Sequence, residues 1–185
     1  MSAVAPTRRR AGLLAAAFVA VVGAVALPAP ANAMGTGNPY EDMQAGVTYT
    51  VYQPSYSAGL RMPTTASAGA QCPAGTEDVL LVSYGTRNGR QFTVTEGNPM
   101  CSDIGTGPTV MTTTIKGARA TVQAYCDPEG PCKKADVRRL GGHLEVVFPA
   151  APGLRPTTVW IETSGGKNLS AQQLVRIARS MRPVQ

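Results

Sequence analysis

Apolar residues recur along this chain in two periods, and the switch between them near the C-terminus separates a sheet-forming body from a final helix. In residues 47–52, Val47, Tyr49 and Val51 alternate with Thr48 and Thr50, the two-residue period of a strand with one buried face. Residues 79–84 are a nearly continuous apolar run and 91–95 alternate again, with Asn88-Gly89 between them. Asn-Gly tolerates the positive φ values of a type I′ turn, so the pair predicts a hairpin. Residues 109–115 and 118–125, joined by Lys116-Gly117, predict a second one, and 144–148 and 157–163 predict two further strands. Residues 34–46, rich in glycine, asparagine and charge, read as a flexible lead-in. Small and turn-forming residues make 55–75 a long surface connection. Antiparallel neighbours joined by short turns are the economical topology.

The C-terminal stretch NLSAQQLVRIARSM changes period. Ser170 followed three positions later by Gln173 is a capping box, in which each side chain satisfies the other residue's free backbone N–H. Leu169 and Leu174 stand where a hydrophobic staple would close the first turn. Leu174, Ile177, Ala178 and Met181 then share one stripe, while Arg176, Arg179 and Arg182 fall mostly elsewhere and Pro183 closes the segment. A helix with this stripe belongs across a sheet. The expected fold is therefore α+β: a single domain with a curved, mainly antiparallel sheet and a C-terminal amphipathic helix packed on it.

The N-terminus adds a compartment to this picture. Arg8, Arg9 and Arg10 precede an apolar run over 11–27, and Pro28, Pro30 and Ala31-Asn32-Ala33 follow. A basic head, an apolar middle and a small-x-small site read as a secretory signal peptide cleaved near Ala33. About seventeen residues at ~1.5 Å each fall a little short of a ~30 Å hydrocarbon core, which weighs against a retained anchor. Ala11 and Gly12 fit the twin-arginine pattern poorly, so the export route stays open between that and the general secretory one. The secreted domain is expected over 47–185, after the signal peptide at 1–33. Removing the three arginines lowers the net charge from +6 to +3, so part of the basic character belongs to the leader.

Export changes how the cysteines are read. Cys72, Cys101, Cys126 and Cys132 are even in number, and none of their spacings is the C-x-x-C of a redox helix or zinc knuckle. His143 is the only histidine, so a zinc site would lack ligands at short spacing, and no metal or other cofactor is expected. Three pairings are open; the preferred one joins Cys126 to Cys132 across Asp-Pro-Glu-Gly-Pro, a segment that bends easily, and Cys72 to Cys101. The short bridge would contribute roughly 2.4 kcal/mol and the long one roughly 3.6 kcal/mol in the chain-entropy model.

Catalytic patterns are missing from the sequence. No Gly-x-Ser-x-Gly elbow accompanies His143, which reads as a residue at the start of a strand rather than a base. Glu41-Asp42 and Glu77-Asp78 are adjacent pairs whose side chains diverge on an extended chain. Gly105-Thr106-Gly107-Pro108 lacks the Gly-Lys-Ser/Thr ending of a phosphate loop. A non-enzymatic chain is expected. Its candidate contact surface is the disulfide-closed loop around Glu129 with the neighbouring cations Lys133, Lys134, Arg138 and Arg139. This cluster could meet an anionic wall polymer or lipid headgroup, but without interleaved aromatic residues it is a poor platform for nucleic acid.

The segments YTVYQPSYSAGLRM, VLLVSYGTRNGRQFTVTEG, TIKGARATVQAY and TTVWIETSGGKNLSAQQLVRIARSM, in this order, resemble a group of extracytoplasmic bacterial domains of unknown function, related to sensors and lipoprotein carriers. In that group a Tyr-x-x-Pro opening leads to a curved antiparallel sheet, and a tryptophan-bearing strand precedes a capped helix ending in Ile-Ala-x-Ser, positions held here by Trp160 and by Ile177-Ala178-Arg179-Ser180. The alanine, glycine, arginine and proline usage also resembles that of actinobacterial exports. The four cysteines and the 55–75 connection depart from the group's pattern. The resemblance brings no catalytic residue. It implies a secreted binding or sensing module of the cell envelope, acting on an envelope component or apolar ligand. The alternative is a small disulfide-stabilised inhibitor or protein-interaction scaffold, with a secreted protein as its partner.

Overall fold

The periodic segments become a seven-stranded antiparallel sheet in the computed structural model, which describes residues 37–62, 67–68, 77–86, 88–101, 104–127 and 129–184. The expected signal peptide, Cys72 and much of the 55–75 connection lie outside these residues. The chain contributes α1 (Pro39–Gln44), β1 (Tyr52–Pro54), β2 (Ser67–Ala68), β3 (Leu80–Gly85), β4 (Gln91–Gly97), β5 (Thr109–Ile115) and β6 (Ala118–Ala124). It continues with α2 (Asp136–Leu140), β7 (Gly142–Phe148), β8 (Thr157–Thr163), α3 (Ala171–Ser180) and β9 (Met181–Pro183). The large sheet runs in the order β2-β3-β4-β8-β7-β6-β5, and β1 pairs with β9 in a separate two-stranded ribbon. The fold is α+β with a mainly antiparallel sheet, as the periodicity predicts.

One face of the sheet is the core. Leu80, Val82 and Tyr84 on β3, Phe92 and Val94 on β4, Leu144, Val146 and Phe148 on β7, and Val159 and Ile161 on β8 are all buried on it. Helix α3 packs over this face against β5, β7 and β8, presenting Leu174, Ile177 and Ala178, all fully buried. Burying a side chain such as Leu174 or Ile177 is worth roughly 1.5–3 kcal/mol, so the stripe supplies most of the reason for the helix to dock. Its start is the capping box: Ser170 Oγ accepts the N–H of Gln173 at 3.3 Å, and Gln173 Oε1 accepts that of Ser170 at 3.0 Å.

Three local expectations need correction. The stretch read as a flexible lead-in contains α1, because Asn38 caps the N–H of Tyr40 at 3.2 Å, Pro39 opens the helix and Glu41 and Asp42 lie in its first turn. Its anchor is Tyr40, fully buried and hydrogen-bonded to Tyr84 hydroxyl to hydroxyl at 2.9 Å. In 47–52 Val47, Tyr49 and Val51 are buried as expected, but Thr50 is fully buried as well, and regular pairing begins only at Tyr52. Side chains have taken the backbone donors there: Val51 N–H donates to Gln44 Oε1 at 2.7 Å and Tyr52 N–H to Glu96 Oε2 at 2.8 Å. The third concerns turns. The β3–β4 hairpin exists, yet its positive φ falls on Gly85 (+89°), not on Asn88 or Gly89. The β5–β6 hairpin carries the paired positive values instead, Lys116 at +50° and Gly117 at +82°.

Candidate binding cleft

Helix α3 does not cover the sheet edge to edge, and beside it runs a cleft built from four pieces of chain. At one end is the turn between β8 and α3. Thr163 Oγ1 donates to Gln91 O at 3.0 Å and accepts the N–H of Leu169 at 2.9 Å, fastening this turn to the start of β4. A backbone bridge between Arg90 and Lys167 follows from that fastening and sets two cations side by side. The second piece is α2. Gly141, at φ +95°, lets the end of α2 lie directly on the same turn: a Cβ there would sit 2.7 Å from Thr163 O. Val137, fully buried, anchors the helix, and Arg138 next to it faces the cleft.

Three hollows of about 550, 390 and 360 Å³ succeed one another along this path. The first two share Arg138 and Ser170, and the second and third share Lys134 and Gln172, so they adjoin one another as a groove. Its far end lies between the outer side of α3, with Arg176 and Arg179, and Met111 and Thr113 of β5. The walls thus carry Arg90, Lys167, Arg138, Lys134, Arg176 and Arg179, and no carboxylate. Among the described residues none of these six cations forms an ion pair. Asn168, which lines the largest hollow, is 6% exposed, and neither its Nδ2 nor its Oδ1 has a hydrogen-bond partner.

The residues singled out from sequence divide here. Lys134 and Arg138 line the groove. Arg139 does not: its guanidinium pairs with Asp136 at 2.8 Å. Asp136 also accepts the backbone N–H of Lys133 at 2.8 Å, and these bonds hold its carboxyl below the usual range. Glu129 and Lys133 are exposed and line none of the three hollows. The Cys126–Cys132 disulfide is present, closing the loop that leads into α2. Cys101 is also disulfide-bonded, while its expected mate Cys72 lies outside the described residues. Arg90, Lys167 and Asn168 were invisible as site residues because they are far apart in sequence or lie in a turn without a motif. The alternation of arginines on α3 carried a signal, since a cationic helix side can serve as a groove wall as well as a solvated surface.

A second polar cluster lies on the opposite face of the sheet. His143 is the second residue of β7, only 2% exposed, with its ring centroid 5.8 Å from that of Tyr125 and 6.5 Å from that of Trp160. Burial pulls its pKa down to about 4, so the ring is neutral at pH 7. Nδ1 of His143 and Nε1 of Trp160 are buried without partners. Glu162, opposite His143 in the β7–β8 register, accepts instead from the Tyr125 hydroxyl at 3.0 Å. Among the described residues no carboxylate is hydrogen-bonded to the imidazole. Among the described residues there is also no group of three or more metal-ligating side chains and no helix long and apolar enough to cross a membrane.

No family model, curated protein or solved structure matches the chain. The functional reading therefore rests on the cleft.

Proposed function

We propose that this chain is a secreted, non-enzymatic binding module of the bacterial cell envelope that holds an anionic ligand in the groove beside α3. The observation that carries the reading is the run of six cations, none ion-paired among the described residues, with no carboxylate lining three adjoining hollows. Such a surface raises the local concentration of anions, and the effect weakens as salt shortens the Debye length from about 10 Å at 0.1 M to about 3 Å at 1 M. The hollow at Asn168 is mainly polar while the other two are mainly apolar, so the anionic group of the ligand belongs at the Asn168 end.

The test is titration calorimetry with soluble polyphosphate at low and high salt, using the wild type and a Lys134→Glu, Arg138→Glu variant. Salt-sensitive binding lost in the variant is expected. Absence of binding at low salt, or binding that the double reversal leaves intact, overturns the reading. Intact-mass analysis of protein recovered from culture medium should place the mature N-terminus at Met34. A protein retained in the cytosol at full length would remove the envelope part of the proposal. The inhibitor alternative draws on the exposed loop closed by Cys126 and Cys132, and inhibition within a panel of secreted proteases would move the contact surface there.

A further inference from the structure

We infer that the Asn168 end of the cleft takes the phosphate ester of a polyol, which deepens the binding reading above and rests on it. Two observations meet at this end. Arg90, Arg138 and Lys167 line a hollow of about 550 Å³, and Asn168, which also lines it, is 6% exposed with a side-chain amide that has neither a donor nor an acceptor for company. Three cations from three separate elements suit a group with several anionic oxygens diverging from one centre. A lone carboxylate, planar and with two oxygens, would be served by a single arginine fork.

Asn168 supplies the second half of the specificity. Its Nδ2 donates and can reach a phosphate oxygen, but its Oδ1 only accepts, and a bare anion offers it nothing. A hydroxyl beside the phosphate answers that acceptor. Ser170 Oγ and Gln173 Oε1 are engaged in the capping box. That box engages the N–H groups of Ser170 and Gln173; those of Ala171 and Gln172, in the first turn, have no partner within the helix by its geometry and add positive potential at the same end. Both amide atoms of Asn168 are closed off from water, and the turn that precedes it, Gly165, Gly166 and Lys167, is exposed. A Cβ on either glycine would meet nothing within 4 Å, so this tip of the turn stands clear of the protein, while its ends are held by Thr163 and the bridge between Arg90 and Lys167. Binding lifts this tip, and the ligand replaces an unsatisfied amide with a paired one.

The experiment uses the secreted chain, isotope-labelled, titrated with glycerol 1-phosphate, inorganic phosphate and glycerol, and in a separate arm with vesicles containing phosphatidylglycerol. The Asn168 side-chain amide resonances should shift with glycerol 1-phosphate. Inorganic phosphate should bind at least tenfold more weakly, and glycerol should not bind. Competition between the vesicles and glycerol 1-phosphate would identify a lipid headgroup as the source; binding of the soluble ester without the vesicles would identify a non-lipid one. Asn168→Asp should weaken glycerol 1-phosphate at least tenfold, and Lys167→Glu, on an exposed residue, should do the same if the first variant folds poorly. Equal affinity for phosphate and its glycerol ester, or an unmoved Asn168 amide, overturns the inference. Polyphosphate binding that persists in that case leaves the broader reading standing.

Discussion

Glu96, in the middle of the core, accepts the backbone N–H of Tyr52 through Oε2 at 2.8 Å, joining β4 to β1 across 44 residues of sequence. Its Oε1 has no partner, and Tyr40, Tyr49, Tyr52 and Tyr84 are the residues near enough to feel its charge. Burial raises the carboxyl well above its ordinary pKa, so folding favours its neutral form. A raised folded pKa means that this group's stabilisation is complete below about pH 4.3 and is lost as pH rises towards the folded value. Glu96→Gln keeps the acceptor for Tyr52 and cannot ionise. The variant should match wild type near pH 4 and exceed it in stability at pH 8 in urea denaturation. An equal difference at both pH values would contradict a neutral Glu96.

His143 has the opposite sign. Its folded pKa of about 4 lies below the ordinary 6.5, so the unfolded chain binds the extra proton and stability falls as pH drops from about 6.5 to about 4. A shift of this size corresponds to roughly 3 kcal/mol. His143→Phe, which retains an aromatic ring between Tyr125 and Trp160, should flatten that limb of the stability profile. If chemical denaturation of the variant shows the same acid slope as wild type, the loss arises elsewhere.

The bridge between Cys126 and Cys132 closes a short loop, with a sequence separation of 6. Replacing both by serine should cost roughly 2 kcal/mol through the freed unfolded chain. Because the loop leads directly into Lys134 and α2, the same variant should also weaken anion binding in the groove. Calorimetry of the folded variant that returned wild-type affinity would show that α2 is positioned by Val137 and Gly141 alone.

Removing the cap of α3 tests the link between helix and groove. Ser170→Ala leaves the Gln173 N–H without its side-chain acceptor and should cost about 1 kcal/mol. Thermal unfolding measures it; a change within a few tenths of a kcal/mol would mean that packing of Leu174 and Ile177 alone fixes the helix start.

The sequence made the architecture readable wherever one residue's environment is set by its neighbours in the chain. Residues 157–163 coincide with β8, and Ser170 and Gln173 form the box that their spacing predicts. The Lys116-Gly117 turn adopts the conformation that glycine permits. Long-range substitutions of partner were not readable. Gln44 and Glu96 take the backbone donors of Val51 and Tyr52, and no local pattern announces an exchange between residues so far apart. The order β4-β8-β7-β6-β5 is of the same kind, since it needs a connection from β4 that passes Tyr125 at Gly105 to reach the far edge strand. The cleft was half legible: Lys134 and Arg138 stood out as a charge cluster, whereas Arg90, Lys167 and Asn168 meet them only through the sheet register and the α2 contact.

The ribbon of β1 and β9 has a mechanical consequence. Tyr52 lies opposite Pro183 and Pro54 opposite Met181, so the arriving and departing strands leave the ribbon at the same end. Force applied through residues 52 and 183 therefore peels the pair open one rung at a time instead of loading all rungs in shear. Under tension this domain would yield first at the ribbon, with the seven-stranded sheet still intact behind it.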